Sequence, residues 1–282
     1  MNRVLVVLEK NTNSAADANF MSNVITGFHS IEEKVKAAQK NQNASQFKIY
    51  YAKAGPRVKK IITLAQETGI QISNVDEKKL DELVQNLDVS LRDHRGIVMV
   101  YSSNGEKNKS SNIVDFDAWV LQNSDESEAD RKTVVVLDKV TDPHNVGAII
   151  RSCDQFGANL VVLTEHNSAS DIGGNEIIGR TSAGSSAWVP VSVVNNLVRA
   201  VEKLKSAGFW IYGADAGGET LGKITFPKKT CLIMGSEGSG ISNLLQQKCD
   251  SIVSIPTCGK IDSLNVSVAA GVLLYELFAR QN

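Results

Sequence analysis

The sequence predicts an α/β protein, and three observations predict it. From residue 133 onward, short apolar strands alternate with amphipathic helices, as in TVVVLDKV, PHNVGAIIRSCDQFG and NLVVLTE. That alternation implies a mostly parallel sheet with helices on both faces. A smaller mixed pattern of the same kind occupies residues 22–102. The chain has 282 residues, 42% of them hydrophobic, enough for one large or two moderate cores.

The elements follow in order. Residues 1–21 read as a variable tail in which VLVVL could form a short strand. ITGFHSIEEKVKAAQ reads as a helix and FKIYYAK as a strand. PRVKKIITLAQETG is a helix with Pro56 near its start and Gly69 at its end. IQISNV is a strand, DEKKLDELVQNL a helix capped by Asp76, and GIVMVYS a last strand. Residues 103–132 are polar and charged around VDFDAWVLQ, and predict a weakly packed linker holding a short helix. The unit 133–282 then runs through TVVVLDKV, the helix after Asp142, NLVVLTE, NEIIGRTSAG and NLVRAVEKLKSAG. FWIYGADA, TCLIMG, ISNLLQQKC, SIVSIP and an apolar final helix complete it. No internal repeat is visible.

Charge is unevenly spread. The whole chain carries −1. Residues 1–96 hold 14 basic and 11 acidic side chains, residues 97–130 hold 2 and 7, and residues 131–282 hold 14 and 13. Between Lys34 and Gln66 lie eight basic residues and no acidic one, with Phe47, Tyr50 and Tyr51 among them. Such a surface could neutralise phosphates while a ring stacks on a base. It could equally be a solvated helix face beside a Tyr-containing core strand. Four widely spaced cysteines form no C-x-x-C pair, so neither zinc nor a disulfide framework is indicated, and a reduced cytoplasmic setting follows. No apolar run is long enough to span a membrane, and the N-terminus does not read as a signal peptide.

Ligands of open α/β sheets bind beyond the carboxyl ends of strands. Three irregular loops fall there: GADAGGE (213–219), MGSEGSGIS (234–242) and IPTCGKIDSLN (255–265). Together they predict one shared pocket. In DKVTDPHNVGAIIR, Asp142 suits the helix cap and Pro143 its first position. Asn145 could be a further cap or a site residue. Arg151, six positions on, would not share its face, and could be a surface ion-pair member. Glu237 inside the second loop needs a partner if buried, and Arg151 is available. Ser263 and Asn265 could simply cap the last helix or also face the pocket. No G-x-G-x-x-G fingerprint follows the first strand of this unit and no G-x-x-x-x-G-K-[ST] loop exists, which argues against a nicotinamide oxidoreductase and a P-loop enzyme. Paired carboxylates, a Ser-His-Asp set and metal ligands are likewise unsupported.

DKVTDPHNVGAIIRSCDQFG, LIMGSEGSGIS and IPTCGKIDSLNVSVAAGVLLYE resemble, in the same order, the three motifs of the SpoU (TrmH) family of RNA ribose 2′-O-methyltransferases. ITGFHSIEEKVK, VKKIITLAQETGI and DHRGIVMV resemble the small ribosomal-protein-like substrate domain of the members that modify large-subunit rRNA. There the usual NHQG is here Asp93-His94-Arg95-Gly96. The resemblance implies a deep trefoil knot, a homodimer with the last helix at its interface, and S-adenosyl-L-methionine held by backbone around Ala214, Gly235, Ile255 and Leu264. It implies that Arg151 stands at the 2′-OH, Asn145 binds substrate, Glu237 holds Arg151, and Ser263 with Asn265 links the last loop to the site. No metal is implied. The implied domains are a tail at 1–21, an RNA substrate-binding domain at 22–102, a linker at 103–132 and the catalytic domain at 133–282. The expected substrate is a guanosine of 23S rRNA. A tRNA ribose or a non-catalytic role in RNA binding or ribosome assembly are the alternatives.

Overall fold

The computed structural model describes residues 23–87, 89–101, 112–124, 131–166, 168–172, 175–260 and 263–280. The tail 1–21 lies outside them. Two sheets organise the chain. The first has four strands: β1 (Asn23–Ile25), β2 (Phe47–Tyr51), β3 (Gln71–Asn74) and β4 (Ile97–Tyr101), in the order β1-β4-β2-β3. Pairing is antiparallel except between β2 and β3. Helices α1 (Phe28–Asn41) and α2 (Pro56–Thr68) cover one face, and α3 (Glu77–Val84) the other.

Local chemistry sets these boundaries as expected. Pro56 opens α2, and Gly69 closes it at φ 81°. Asp76 caps α3 by accepting the Lys79 amide at 2.8 Å. The start of α1 differs from expectation. Ile25 belongs to β1, and the helix begins only after Gly27, whose φ is 88°. Ile25 pairs with Met99 across the sheet, so tertiary pairing overrides the helical pattern there.

The second sheet has six strands, all parallel: β5 (Lys132–Leu137), β6 (Leu160–Thr164), β7 (Val191–Val194), β8 (Trp210–Thr220), β9 (Lys229–Met234) and β10 (Ser251–Ser254). Their order is β10-β8-β9-β5-β6-β7. β5, β6 and β9 are buried at every residue or nearly so, as a sheet covered on both faces requires. α5 (Pro143–Gln155) and α9 (Val266–Ala279) share one core, and α7 (Leu197–Ser206) and the short α8 (Asn243–Gln246) the opposite one. The edge strand β7 was not expected. It is four residues long and directly follows Pro190, a short edge segment whose pattern is weak in sequence.

The linker expectation also needs correction in its described part. Helix α4 (Phe116–Gln122) forms, but the segment does not pack weakly. Phe116 is buried in the α7-side core. Buried Asn112 donates to the carbonyls of Ser186 and Val189, and the Val114 amide donates to Val191. The segment therefore covers part of the exposed edge of β7.

The two sheets meet along a seam. Helix α6 (Glu176–Thr181) and the turn behind it face α1 and β1. The Val24 amide donates to Glu176 Oε1 at 3.0 Å, Ser30 Oγ to the Gly179 carbonyl at 3.0 Å, and Trp188 Nε1 to Glu33 Oε2 at 2.6 Å. On its other side α6 presses on α5. A Cβ at Gly147 would stand 1.8 Å from Thr181 Oγ1, so only glycine permits that contact.

Candidate active site

The strand order reverses between β5 and β9, a switch point at whose carboxyl end a crevice is expected. The loops after β5, β9 and β10 converge there; the expected loop 213–219 is instead part of β8, whose residues 214–218 bulge toward the same place because β10 skips them in its pairing. The Ser242 amide donates to Asp138 Oδ2 at 2.7 Å, tying the β9 loop to the end of β5. Within the β9 loop, Ser236 and Gly240 exchange backbone hydrogen bonds at 3.2 and 2.9 Å. Gly240 has φ 63°, and a Cβ at Gly235 would meet the Gly240 carbonyl carbon at 2.2 Å. This closed turn is what the Gly-rich segment MGSEGSGIS encodes.

A cavity of about 430 Å³ lies between these loops. Ala214, Gly235, Ile255 and Leu264, the four expected cofactor contacts, all line it, as do Glu237 and Ser263. Met234, Val253 and Leu273 give it an apolar floor. Its size and mixed lining suit a small organic ligand.

Beside the cavity, three loops are fastened through one carboxylate. Asn145 Nδ2 donates to Glu237 Oε1 at 3.0 Å, Asn265 Nδ2 donates to the same oxygen, and also to Asn145 Oδ1 at 3.0 Å. Asn265 Oδ1 in turn accepts the amides of Ser267 and Val268 and the Ser267 hydroxyl, capping α9. Asn265 therefore caps a helix and joins the site at once. Ser263 lines the cavity but takes no part in the cap. Asn145 is buried and is not the cap of α5, since that place belongs to Asp142, which accepts the His144 amide at 2.9 Å.

One expectation fails within the chain. Glu237 holds no ion pair with Arg151; its described partners are the two asparagine amides. The helical period explains this. Six residues separate Asn145 from Arg151, so they leave α5 about 120° apart. Asn145 points inward and Arg151 is exposed. Sequence reasoning named both residues but could not place a long-range partner for Glu237, because asparagine amides 92 and 28 residues away leave no local signal.

The basic segment also resolves. Phe47 and Tyr50 are buried in the first domain's cores and cannot stack on a base. Lys36, Lys53 and Lys60 are paired with Glu33, Glu77 and Glu32. The Lys60 hydrogen bond is the main reason the Glu32 carboxyl is held below its ordinary range. Lys59 and Arg57 remain on the exposed face of α2, the latter against the His29 ring at 3.1 Å.

Known proteins resemble this chain. Residues 132–275 match the model of the SpoU rRNA methylase family, and residues 24–104 match RNA 2′-O ribose methyltransferase substrate binding. The chain belongs to the SpoU methylase family. It is 37% identical over 233 residues, 82% of this chain and 97% of the other, to an uncharacterized tRNA/rRNA methyltransferase of Borreliella burgdorferi. It is 32% identical over 253 residues to the 23S rRNA (guanosine-2′-O-)-methyltransferase RlmB of Neisseria meningitidis, covering 89% and 93%. Among solved structures, the SpoU methyltransferase AviRb from Streptomyces viridochromogenes, in complex with AdoMet, superposes with a TM-score of 0.65 at 22% identity. That match covers 96% of this chain and 94% of AviRb. As an RNA methyltransferase the protein is an enzyme. No helix among the described residues is long and apolar enough to cross a membrane, and no cluster of metal-ligating side chains occurs among them.

Proposed function

We propose that the protein transfers a methyl group from S-adenosyl-L-methionine to a ribose 2′-OH of RNA, with a guanosine of 23S rRNA as the substrate. One observation carries the reading: Ala214, Gly235, Ile255 and Leu264 line a single cavity beside the Asn145–Glu237–Asn265 circuit. The cavity fits the donor. Gly235 lines it without a side chain, Ile255 and Leu264 offer apolar contact to a flat ring, and the charged lining is acidic, as suits a cationic ligand. When bound, the cofactor supplies a methyl group on a sulfonium, whose leaving group is a neutral sulfide.

The chain's own residues then divide the work. Asn145 is a positioning residue: its amide locks Glu237 and Asn265, and so the second and third loops, in one geometry. Asn265 transmits that lock to α9. Ser263 stands on the cavity wall, where a hydroxyl can reach substrate. Arg151 has no hydrogen-bond or ion-pair partner among the described residues and faces solvent on the same helix. A guanidinium is a fixed cation and a rigid donor. Its role is to hold the ribose hydroxyl and the adjacent phosphate, so that oxygen, methyl and sulfur lie in line and positioning lowers the barrier.

Val268, Val272, Tyr275 and Phe278 leave an apolar stripe on α9 that is 36–55% exposed. We infer that two copies bury this stripe against each other, and that Arg151, which finds no Glu237 within its own chain, works at a site completed by the second copy. The contacts of α9 with α5 and of Asn265 with the β9 loop support a C-terminus threaded as a trefoil knot, which connectivity rules alone would not suggest. The first domain serves as the RNA-docking domain, with Lys59 and Arg57 on its exposed helix, and the reaction takes place in the cytoplasm. The relative named as a 23S rRNA (guanosine-2′-O-)-methyltransferase, matched over 93% of its length, supports the choice of rRNA over tRNA.

The test is Arg151→Ala. Turnover on 23S rRNA fragments should fall at least a hundredfold while cofactor affinity, thermal stability and oligomeric state stay unchanged. Near-normal methylation would remove Arg151 from the mechanism. Mapping 2′-O-methyl groups in rRNA and tRNA of cells lacking the protein identifies the RNA.

A further inference from the structure

A bulge within β8 carries an acidic side chain that the mechanism above leaves unused. Pairing of β10 with β8 jumps from Ile252–Gly213 to Val253–Glu219, so residues 214–218 bulge out over the cavity. Such bulges re-aim side chains beside ligand sites. Asp215 sits on this bulge, exposed, and lines the cavity. Its Oδ1 accepts the Gly217 amide at 3.1 Å, which fixes the side chain. Its Oδ2 lies 3.6 Å from the point where a Cβ on Gly240 would stand. The carboxylate thus closes the rim between the first and second loops. No cation pairs with it among the described residues.

The cavity's other charged side chain is Glu237, one of whose oxygens is taken by Asn145 and Asn265. No lysine or arginine is among the described lining residues. The wall is therefore anionic, and Asp215 is its uncommitted charge.

We propose that Asp215 reads the charge of the bound cofactor, holding the sulfonium donor more tightly than the sulfide product. This rests on the cofactor reading above. Donor and product share the adenosine and the amino-acid tail. Apolar and backbone contacts bind those parts alike in both. In the transfer, the ribose oxygen forms a bond to the methyl carbon and releases its proton to solvent, the methyl–sulfur bond breaks, and its bonding pair stays on sulfur. One positive charge thereby leaves the cofactor. A carboxylate at the rim then loses its attraction, and the product departs more readily than the donor. For a hydrated charge pair several ångströms apart this discrimination is about three- to tenfold, and salt weakens it.

Isothermal titration of the full chain with three probes tests this: S-adenosylmethionine, S-adenosylhomocysteine, and sinefungin, whose amine replaces the sulfonium. In Asp215→Asn, which keeps the oxygen that accepts the Gly217 amide, the two cationic probes should bind about three- to tenfold more weakly. The homocysteine product should stay within about twofold. Asp215→Glu, which keeps the charge, should retain most of the discrimination. Equal weakening of all three probes, or no weakening, overturns the role of Asp215 while leaving the cofactor reading intact. Failure of the unaltered protein to bind any of the three overturns both.

Discussion

The candidate site and the seam between the two sheets each fasten neighbouring segments through a glutamate, exposed at the site and partly buried at the seam, and they treat it in opposite ways. At the site, Glu237 Oε1 accepts from two side-chain amides on two different helices. At the seam, Glu176 has one donor, the Val24 amide, and its Oε2 is buried with no partner. Burial pushes its carboxyl up to about 7, and the Val24 hydrogen bond offsets this only in part. Lys34 and Tyr101 line the same small cavity, and burial lowers the Lys34 ammonium in turn, against the pull of Asp171. At the site the carboxylate is a shared acceptor that ties two segments together. At the seam the poorly donated carboxylate makes the contact it supports depend on pH.

This contrast can be broken most forcefully at Gly235. Alanine there would drive a Cβ into the Gly240 carbonyl, opening the turn that carries Glu237. Cofactor binding should fall by more than a hundredfold and the melting temperature should drop, as read by calorimetry, while the first domain's RNA contacts survive. Retained cofactor affinity would show that the turn does not shape the pocket.

Gly184→Ala strikes the seam instead. Gly184 has φ 89°, and its Cβ would lie 2.6 Å from Glu33 Cβ. A cost of about 2–3 kcal/mol is expected from backbone strain and the displaced side chain. RNA affinity should fall with cofactor affinity unchanged. Loss of both would mean that seam and site are one cooperative unit, coupled through the tight Gly147–Thr181 contact of α5 and α6.

The smallest effect is at Glu176. In the unfolded chain its carboxyl titrates near 4.5; in the folded chain it is pushed up to about 7. Between those values the folded state holds a proton that the unfolded state has lost. Stability therefore falls as pH rises through that window. Glu176→Gln keeps the oxygen that accepts the Val24 amide and removes the titration. It should raise the melting temperature at pH 8 by about 2–4 °C and flatten its dependence between pH 5 and 8. A parallel pH profile in both proteins would assign the dependence to other groups.

Much of this molecule was legible before any coordinates. The second-half alternation specified a parallel sheet, because strands buried on both faces must be continuously apolar. Asp76, Asp142 and Asn265 announced helix starts, because a short side chain before an apolar run has one inexpensive use there. The Gly-rich loops announced close approach of backbone. The missed elements had weak local signals: β1 is three residues that run into the helical pattern at Ile25, and β7 is four residues beside a proline. The linker's packing depended on Phe116 finding a core supplied by α7.

The sequence by itself determined the elements, their class, and the residue types gathered at three strand ends. Hydrophobic period and cap chemistry act over a few residues, so they are written locally. Only the tertiary structure decided that Glu237 turns to Asn145 and Asn265 and away from Arg151, that Phe47 and Tyr50 face inward, and that Glu176 lacks a second donor. Those outcomes depend on which groups 28 to 152 residues apart come within hydrogen-bond reach, and that distance is set by how the sheets and helices pack.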